Sequence, residues 1–121
     1  MKTCLVVDDS RTVRSLARRL LESQGLRVRE AGDGGEALEM CASEMPDAIL
    51  LDWHMPVMSG PDFLAILRAS PAGDAPKVIF CSAENDLDHI ALALACGGDE
   101  YIMKPFDDEI LRDKLVQVGV L

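Results

Sequence analysis

Five polar side chains in this sequence directly follow short apolar runs, and their types suit chemistry on a phosphoryl group. They are Asp8, Asp9, Asp52, Ser82 and Lys104. The runs before them predict strands, most of them buried on both faces of a parallel sheet. Because the carboxyl ends of parallel strands meet at one edge, we expect three carboxylates, one hydroxyl and one ammonium to converge there.

Carboxylates held close together repel one another, and a hard divalent cation relieves that repulsion best. The all-oxygen set predicts a Mg²⁺ site, with Mn²⁺ as the alternative ion, in which Asp8 or Asp9 joins Asp52 as a ligand. Asp52 ends the middle predicted strand and is the candidate covalent nucleophile. Ser82 and Lys104 complete the predicted catalytic set, because they can bind the oxygens of a phosphoryl group.

The elements that must position these residues alternate along the whole chain. The predicted strands are Leu5–Val7, Leu26–Glu30, Ala48–Leu51, Val78–Phe80 and Tyr101–Met103. The predicted helices run from Ser10 to Gly25, from Asp33 to about Glu44, from Pro61 to about Ala69, over Leu87–Cys96 and onward from Phe106 or Asp107. Five βα units predict an α/β, flavodoxin-like (βα)5 three-layer sandwich with a parallel sheet in the order 2-1-3-4-5.

Several details of these helices are also predicted. Ser10, Asp33 and Asp86 are the expected N-caps of the first, second and fourth helices. The apolar stripe of the first helix comprises Val13, Leu16, Ala17, Leu20 and Leu21. The shared face of the fourth helix comprises Leu87, Ile90, Ala91 and Leu94. Both spacings follow the helical period, so these faces are expected to pack on the sheet.

Composition excludes several function classes. The 121 residues include 12 basic and 21 acidic side chains, and the net charge of −9 disfavours nonspecific binding to nucleic acid or anionic membranes. No apolar stretch approaches the ~20 residues that a membrane span requires. The four cysteines lack zinc-ligand spacing and lie in apolar runs, which is typical of a reduced protein. We therefore expect a cytoplasmic protein.

Motifs spread over the whole chain resemble those of the response regulator receiver domain, especially its CheY-type single-domain, stand-alone members. The motifs are D-D-S at 8–10, L-L-D-W-H-M-P-V-M-S-G at 50–60, S-A-E at 82–84 and Y-I-M-K-P-F at 101–106. The resemblance implies that Asp52 accepts a phosphoryl group from a histidine kinase or a histidine phosphotransfer protein. It also implies that Asp9, Asp52 and the backbone carbonyl of His54 bind Mg²⁺, with Asp8 bonding through water.

Other roles are implied in the same way. Ser82 and Tyr101 would form the switch pair, and the Lys104–Pro105 peptide would be cis. The side chains of His54 and Glu84 would border the phosphoryl group, and we predict that they set its hydrolysis rate. The response would reach a partner protein through the face of the fourth helix, fifth strand and fifth helix.

The positive charge of the chain is concentrated at its start. Residues 1–29 carry seven basic and three acidic side chains, whereas the remainder carries five basic and eighteen acidic ones. In receivers the first helix commonly docks the histidine-bearing bundle of a kinase. Arg11, Arg14 and Arg18 or Arg19 are therefore candidate docking residues, although a solvated helix face explains the same pattern.

We expect one receiver domain over residues 1–121 with no output domain, acting through protein contacts, as a relay intermediate or as a phosphate sink. An aspartyl-nucleophile phosphohydrolase resembling the haloacid dehalogenase family would need a second acid two residues after the nucleophile, where His54 stands. A nucleotide- or flavin-binding protein would need a phosphate-cradling loop after the first strand, where Asp8 and Asp9 stand. A degenerate receiver acting without phosphate is disfavoured by the complete acidic, hydroxyl and lysine set.

Two further aromatic side chains carry predictions about exposure. Trp53 is predicted to be partly exposed, and His89 to be solvated.

Overall fold

The fold was analysed from a computed structural model, which describes residues 1–83 and 87–121. Strands and helices alternate from β1 to α5. The strands are β1 Thr3–Val7, β2 Arg27–Ala31, β3 Ala48–Asp52, β4 Lys77–Ser82 and β5 Glu100–Met103. The helices are α1 Arg11–Ser23, α2 Gly34–Ser43, α3 Gly60–Arg68, α4 Leu87–Ala95 and α5 Asp108–Gln117.

All described strand pairs are parallel, in the order β2-β1-β3-β4-β5, which confirms the predicted topology. Alternate residues of each strand enter two separate cores, because successive side chains point to opposite faces. Leu5 and Val7 pack with α2, α3 and α4 on one face, and Cys4 and Val6 pack with α1 and α5 on the other. The result is the three-layer α/β sandwich that the sequence predicted.

Side-chain caps begin four of the helices. Ser10, Asp33, Ser59 and Asp107 each accept a hydrogen bond from the backbone N–H three residues later. Such a bond satisfies a donor that the first helical turn leaves without a partner. The predicted caps at Ser10 and Asp33 are confirmed, whereas the predicted cap Asp86 lies outside the described residues.

The predicted buried face of α4 is wrong at Ala91 and Leu94, whereas Ile90 packs against the core. Ala93 is the fully buried residue and packs in the core with Phe80, whereas Ala91 is exposed and Leu94 is 45% exposed. Ile90 is half-buried, and the side chain of Leu87 lies outside what the structure describes. The reason is that α4 has apolar residues around most of its circumference, so helical periodicity does not distinguish the face that meets the sheet.

One residue of the predicted α1 stripe is also misplaced. Leu16 is 55% exposed, while Ala17 and Leu21 are buried under the sheet. Leu16 lies at the edge of the stripe and lines a shallow apolar groove with Leu20 and Phe106. The helix therefore keeps an apolar strip at the surface, beside the β5–α5 loop.

The four cysteines are free thiols. Cys4, Cys41 and Cys81 are buried and Cys96 is partly buried. Burial raises the pKa of both Cys4 and Cys81 to about 12, and it also raises the pKa of Cys41 and Cys96. The thiols are therefore protonated core residues, as their apolar surroundings predicted.

Candidate functional site

Three carboxylates meet where β1 and β3 end. The two strands are neighbours, with Val7 in register with Leu51, so the residues that follow them in the chain are adjacent as well. One carboxylate oxygen from each of Asp8, Asp9 and Asp52 lies within 4.8 Å of the others. Asp8 and Asp52 are buried and Asp9 is exposed, so the cluster opens to solvent on one side. The predicted convergence of the three carboxylates is confirmed.

Lys104 brings a positive charge to the same cluster from β5, two strands away from β3. Its Nζ donates to Oδ2 of Asp8 at 2.8 Å and to Oδ1 of Asp52 at 3.2 Å. The backbone N–H of Lys104 donates to the carbonyl of Ser82 at 2.8 Å, which holds this residue against the end of β4. The following Lys104–Pro105 peptide is cis, as the resemblance implied.

The electrostatics of the site favour a cation. Burial is the largest cause that raises the pKa of Asp52 to about 6, and the charge of Asp8 adds to it. The ammonium of Lys104 opposes both effects without cancelling them. Burial lowers the pKa of Lys104, but the hydrogen bond to Asp8 and the nearby carboxylates outweigh it, so the net direction is upward. One ammonium therefore leaves negative charge uncompensated.

The donor set fits a hard divalent ion. Asp8, Asp9 and Asp52 offer only oxygen atoms, and the exposed side at Asp9 leaves room for water ligands. The cluster can therefore hold a metal ion with its carboxylates.

The predicted switch residues are both buried near this edge. Ser82 is the last residue of β4 and follows Cys81, which is in register with Asp52. Tyr101 lies on β5 in register with Phe80, and the residue is 5% exposed. Ser82 therefore ends beside the carboxylate cluster, whereas Tyr101 lies two residues back along the sheet.

The chain matches the profile of the response regulator receiver domain over residues 4–116, which is nearly its whole length. It belongs to the response regulator receiver domain family. The receiver is 42% identical to the response regulator MprA of Mycobacterium ulcerans over 111 residues, which are 92% of this chain and 47% of that protein. The chain thus spans about half the length of the curated relatives it matches.

Solved receivers share the whole architecture. The chemotaxis protein CheY4 of Vibrio cholerae superposes with a TM-score of 0.92 at 30% identity, covering 98% of both chains. The receiver domain of the Francisella response regulator 1452 superposes with a TM-score of 0.86 at 29% identity, covering 100% of both chains. The family is one of signalling modules in two-component systems, as the motifs predicted.

The predicted exposure of Trp53 and His89 is wrong. Trp53 is 8% exposed and packs on Phe80, with ring centroids 4.9 Å apart. The ring of His89 on α4 contacts that of Trp53 in a tilted arrangement, with centroids 4.1 Å apart, and meets Tyr101 edge-on at 6.0 Å. The imidazole covers Trp53, which the sequence did not reveal because the contact depends on how α4 is seated. His54, whose ring lies 6.0 Å from that of His89, is exposed, and Glu84 lies outside the described residues.

The predicted docking arginines differ from one another. Arg14 Nε donates to Glu30 at 3.2 Å, and Arg18 Nε donates to the same carboxylate at 2.6 Å. Within residues 1–83 and 87–121, Arg11 and Arg19 have no ion pair, and both are exposed. Arg14 and Arg18 thus link α1 to β2, whereas Arg11 and Arg19 are exposed without an ion pair in that part of the chain.

Sequence reasoning missed the link between Arg14 and the acidic cluster. Arg14 Nη1 donates to the backbone carbonyl of Asp8 at 2.8 Å. A signal existed in the sequence, since Glu30 alternates with Arg29 and therefore shares a strand face with the apolar Val28. That face of β2 is the one that packs with α1, which follows β1 directly in the chain.

No helix in the described part of the chain is both long and apolar enough to cross a membrane.

Proposed function

We propose that this receiver accepts a phosphoryl group on Asp52 from a phosphohistidine of a histidine kinase or a histidine phosphotransfer protein. One observation carries the proposal. Asp52 ends the central strand in a buried position, with the carboxylates of Asp8 and Asp9 and the ammonium of Lys104 grouped around it. The Lys104 ammonium, and a cation held by the other two carboxylates, can both stabilise the oxygens of a phosphoryl group on Asp52.

In the proposed transfer, a carboxylate oxygen of Asp52 forms a bond to phosphorus while the phosphorus–nitrogen bond of the phosphohistidine breaks. The departing imidazole nitrogen keeps the electron pair of that bond. The phosphoryl group carries about two negative charges. Because the new bond removes the charge of the Asp52 carboxylate, the site gains about one negative charge in total. Lys104, whose Nζ is already 3.2 Å from Asp52, offsets part of that charge, and the Ser82 hydroxyl donates a hydrogen bond to a phosphoryl oxygen.

Asp8, Asp9 and Asp52 are proposed to hold Mg²⁺, or Mn²⁺ in its place, together with the backbone carbonyl of His54. The bound ion supplies positive charge to the phosphoryl oxygens. The side chains of His54 and Glu84 are proposed to set how fast the phosphoryl group is hydrolysed.

The proposed output is a change at the face formed by α4, β5 and α5. Ile90, Met103 and Ile110 line a shallow apolar groove there, above the buried ring of Tyr101. A phosphoryl group that draws the Ser82 hydroxyl toward itself changes the space available to Tyr101, and so biases this face toward one partner-binding state. A protein target, rather than nucleic acid, is the partner proposed for it.

The proposed docking site for the phosphodonor is the outer face of α1. An apolar groove is lined by Val13, Leu16 and Phe106, and the exposed Arg11 is the first residue of the same helix. This combination suits a helix with an apolar stripe and acidic flanks, such as one from a histidine-bearing bundle. A cytoplasmic location, consistent with the free cysteines, belongs to the same proposal.

The test is phosphorylation by a small donor. The protein is incubated with Mg²⁺ and acetyl phosphate, and its intact mass is measured with and without EDTA. We expect a gain of one phosphoryl group that requires Mg²⁺, disappears in Asp52→Ala and persists in Asp74→Asn, an exposed acid outside the cluster. A gain that survives in Asp52→Ala, or no gain in the wild type with any small donor, would overturn the proposal.

A further inference from the structure

Asp8 is fixed at four points. Its N–H donates to the carbonyl of Ala31 at 3.2 Å, and its own carbonyl accepts from Arg14 at 2.8 Å. Its Oδ1 accepts from the N–H of Ser10 at 2.9 Å, and its Oδ2 accepts from Lys104 at 2.8 Å. Arg14 is the one side chain in this set that bonds to the backbone of Asp8, so it holds the carbonyl side of this residue while Ala31 holds the N–H.

The guanidinium of Arg14 is itself anchored. Its Nε donates to Oε1 of Glu30, and Arg18 binds the other oxygen of that carboxylate. A Cβ at Gly32 would lie 3.4 Å from Arg14 Nη1, so the chain passes close to the guanidinium there. With its side chain 18% exposed, Arg14 is clamped between β2 and the peptide of Asp8.

We propose that Arg14 is a positioning residue for the cation and phosphoryl site, with Glu30 as its anchor. The inference rests on the function proposed above. By holding the Asp8 carbonyl, Arg14 keeps the Asp8 carboxylate aimed at Lys104 and at the oxygens of Asp9 and Asp52. The edge strand β2, which contributes no side chain to the carboxylate cluster, thereby takes part in forming it.

Calorimetric titration of the intact protein with Mg²⁺ tests the inference. Arg14→Met keeps the length of the aliphatic stem and removes the donors. We expect it to weaken Mg²⁺ binding on the order of tenfold, the usual effect of removing a group that orients a metal ligand. Glu30→Gln, which leaves Arg14 in place without a charged anchor, should weaken binding in the same direction by less.

The chain offers a matched control on the same strand. Arg27 and Glu44 form an exposed pair at 2.6 Å, away from the carboxylate cluster. Arg27→Met should leave the Mg²⁺ affinity unchanged, whatever it does to the unfolding midpoint. Circular dichroism checks that each variant is folded at the titration temperature, so that loss of affinity is not confused with loss of fold.

If Arg14→Met, or Glu30→Gln when the first variant does not fold, binds Mg²⁺ as tightly as the wild type, the inference is wrong. Wild-type protein that binds Mg²⁺ but gains no phosphoryl group would overturn the proposed function and leave this comparison valid. If the wild type binds no Mg²⁺, the test is hydrogen exchange of the Ser10 backbone amide in EDTA, because this N–H donates to the Asp8 carboxylate. Exchange faster in Arg14→Met than in Arg27→Met supports the positioning role, and equal rates contradict it.

Discussion

The α-carbon of Gly60 packs against the backbone carbonyl of Asp52, so that a Cβ at position 60 would collide with that oxygen. The same glycine donates its N–H to the carbonyl of Trp53 at 3.0 Å. The start of α3 therefore lies directly against the end of β3. Any residue larger than glycine must move the segment that carries Asp52.

Gly60→Ala should destabilise the receiver by about 1–3 kcal/mol, the usual cost of forcing an extra methyl group into a packed region. Urea denaturation measures the change. Gly35→Ala is the control, because a Cβ there meets only Asp33 Oδ1 at an ordinary 3.4 Å in a helix that alanine favours. It should be neutral or stabilising, and equal effects of the two substitutions would contradict the packing argument.

The stability of the metal-free protein should depend on the ionisation of Asp52. Its pKa is about 6 in the folded protein and 3.8 for an ordinary aspartate, so folding takes up a proton between those pH values. Wild-type protein should therefore lose stability relative to Asp52→Asn as pH rises from about 4 to about 6, and the difference should level off above that range.

The difference should reach on the order of 2–3 kcal/mol, since one pKa unit corresponds to about 1.4 kcal/mol. Urea unfolding of both proteins in EDTA at several pH values measures it. Asp74→Asn should track the wild type across the same range, because Asp74 is exposed outside the cluster. If the difference in unfolding free energy between wild type and Asp52→Asn did not change with pH, ionisation of Asp52 would not destabilise the folded protein.

Lys104→Met should separate cation binding from phosphoryl transfer. Because Lys104 occupies oxygens of both Asp8 and Asp52, its removal leaves more negative charge for Mg²⁺, which should bind a few-fold more tightly. Phosphorylation by acetyl phosphate should nevertheless slow at saturating Mg²⁺, because a positive charge that faces the phosphoryl oxygens is lost.

Calorimetry and intact-mass time courses measure these two effects. Lys114→Met is the matched control, since this lysine pairs with Glu100 at 3.3 Å and has no contact with the cluster. Both the affinity and the rate should stay at wild-type values in that variant. If Lys104→Met bound Mg²⁺ more weakly, competition between the ammonium and the ion would be excluded.

Arg11→Glu should reduce transfer from a protein donor more than transfer from acetyl phosphate, because Arg11 projects outward from α1 without an ion pair in the described chain. A panel of purified phosphorylated histidine kinases provides the donor, and the fastest one is used. Arg112→Glu on α5 should leave the ratio of the two rates unchanged. Reversing Arg14 or Arg18 is a poor test of docking, since both arginines bind Glu30.

The site was predictable because it depends on strand ends and strand order. Asp8 and Asp52 follow buried apolar runs, and parallel topology is sufficient to bring them together. The seating of α4 was not predictable, since its apolar residues surround the helix and do not show that Ala93 faces the sheet. The burial of Trp53 under His89 depends on that seating and was missed for the same reason.

The arginines of α1 illustrate a second limit. Charge counting identified a basic helix but could not separate its structural arginines from its exposed ones, because Arg11 and Arg14 look alike in sequence. Whether an arginine is structural or exposed depends on whether it lies within reach of Glu30, a residue of the neighbouring β2 strand. Contacts between elements, rather than periodicity within one, determine that arrangement.

The protonated, mostly buried thiols of this receiver have a practical consequence. Alkylating reagents react with the thiolate, and burial suppresses that form at Cys4, Cys41, Cys81 and Cys96. A cysteine introduced at an exposed position such as Ser15 on α1 should therefore outcompete the native four for a maleimide dye. Site-specific labelling, and distance measurements between labelled proteins, would then require no prior replacement of the natural cysteines.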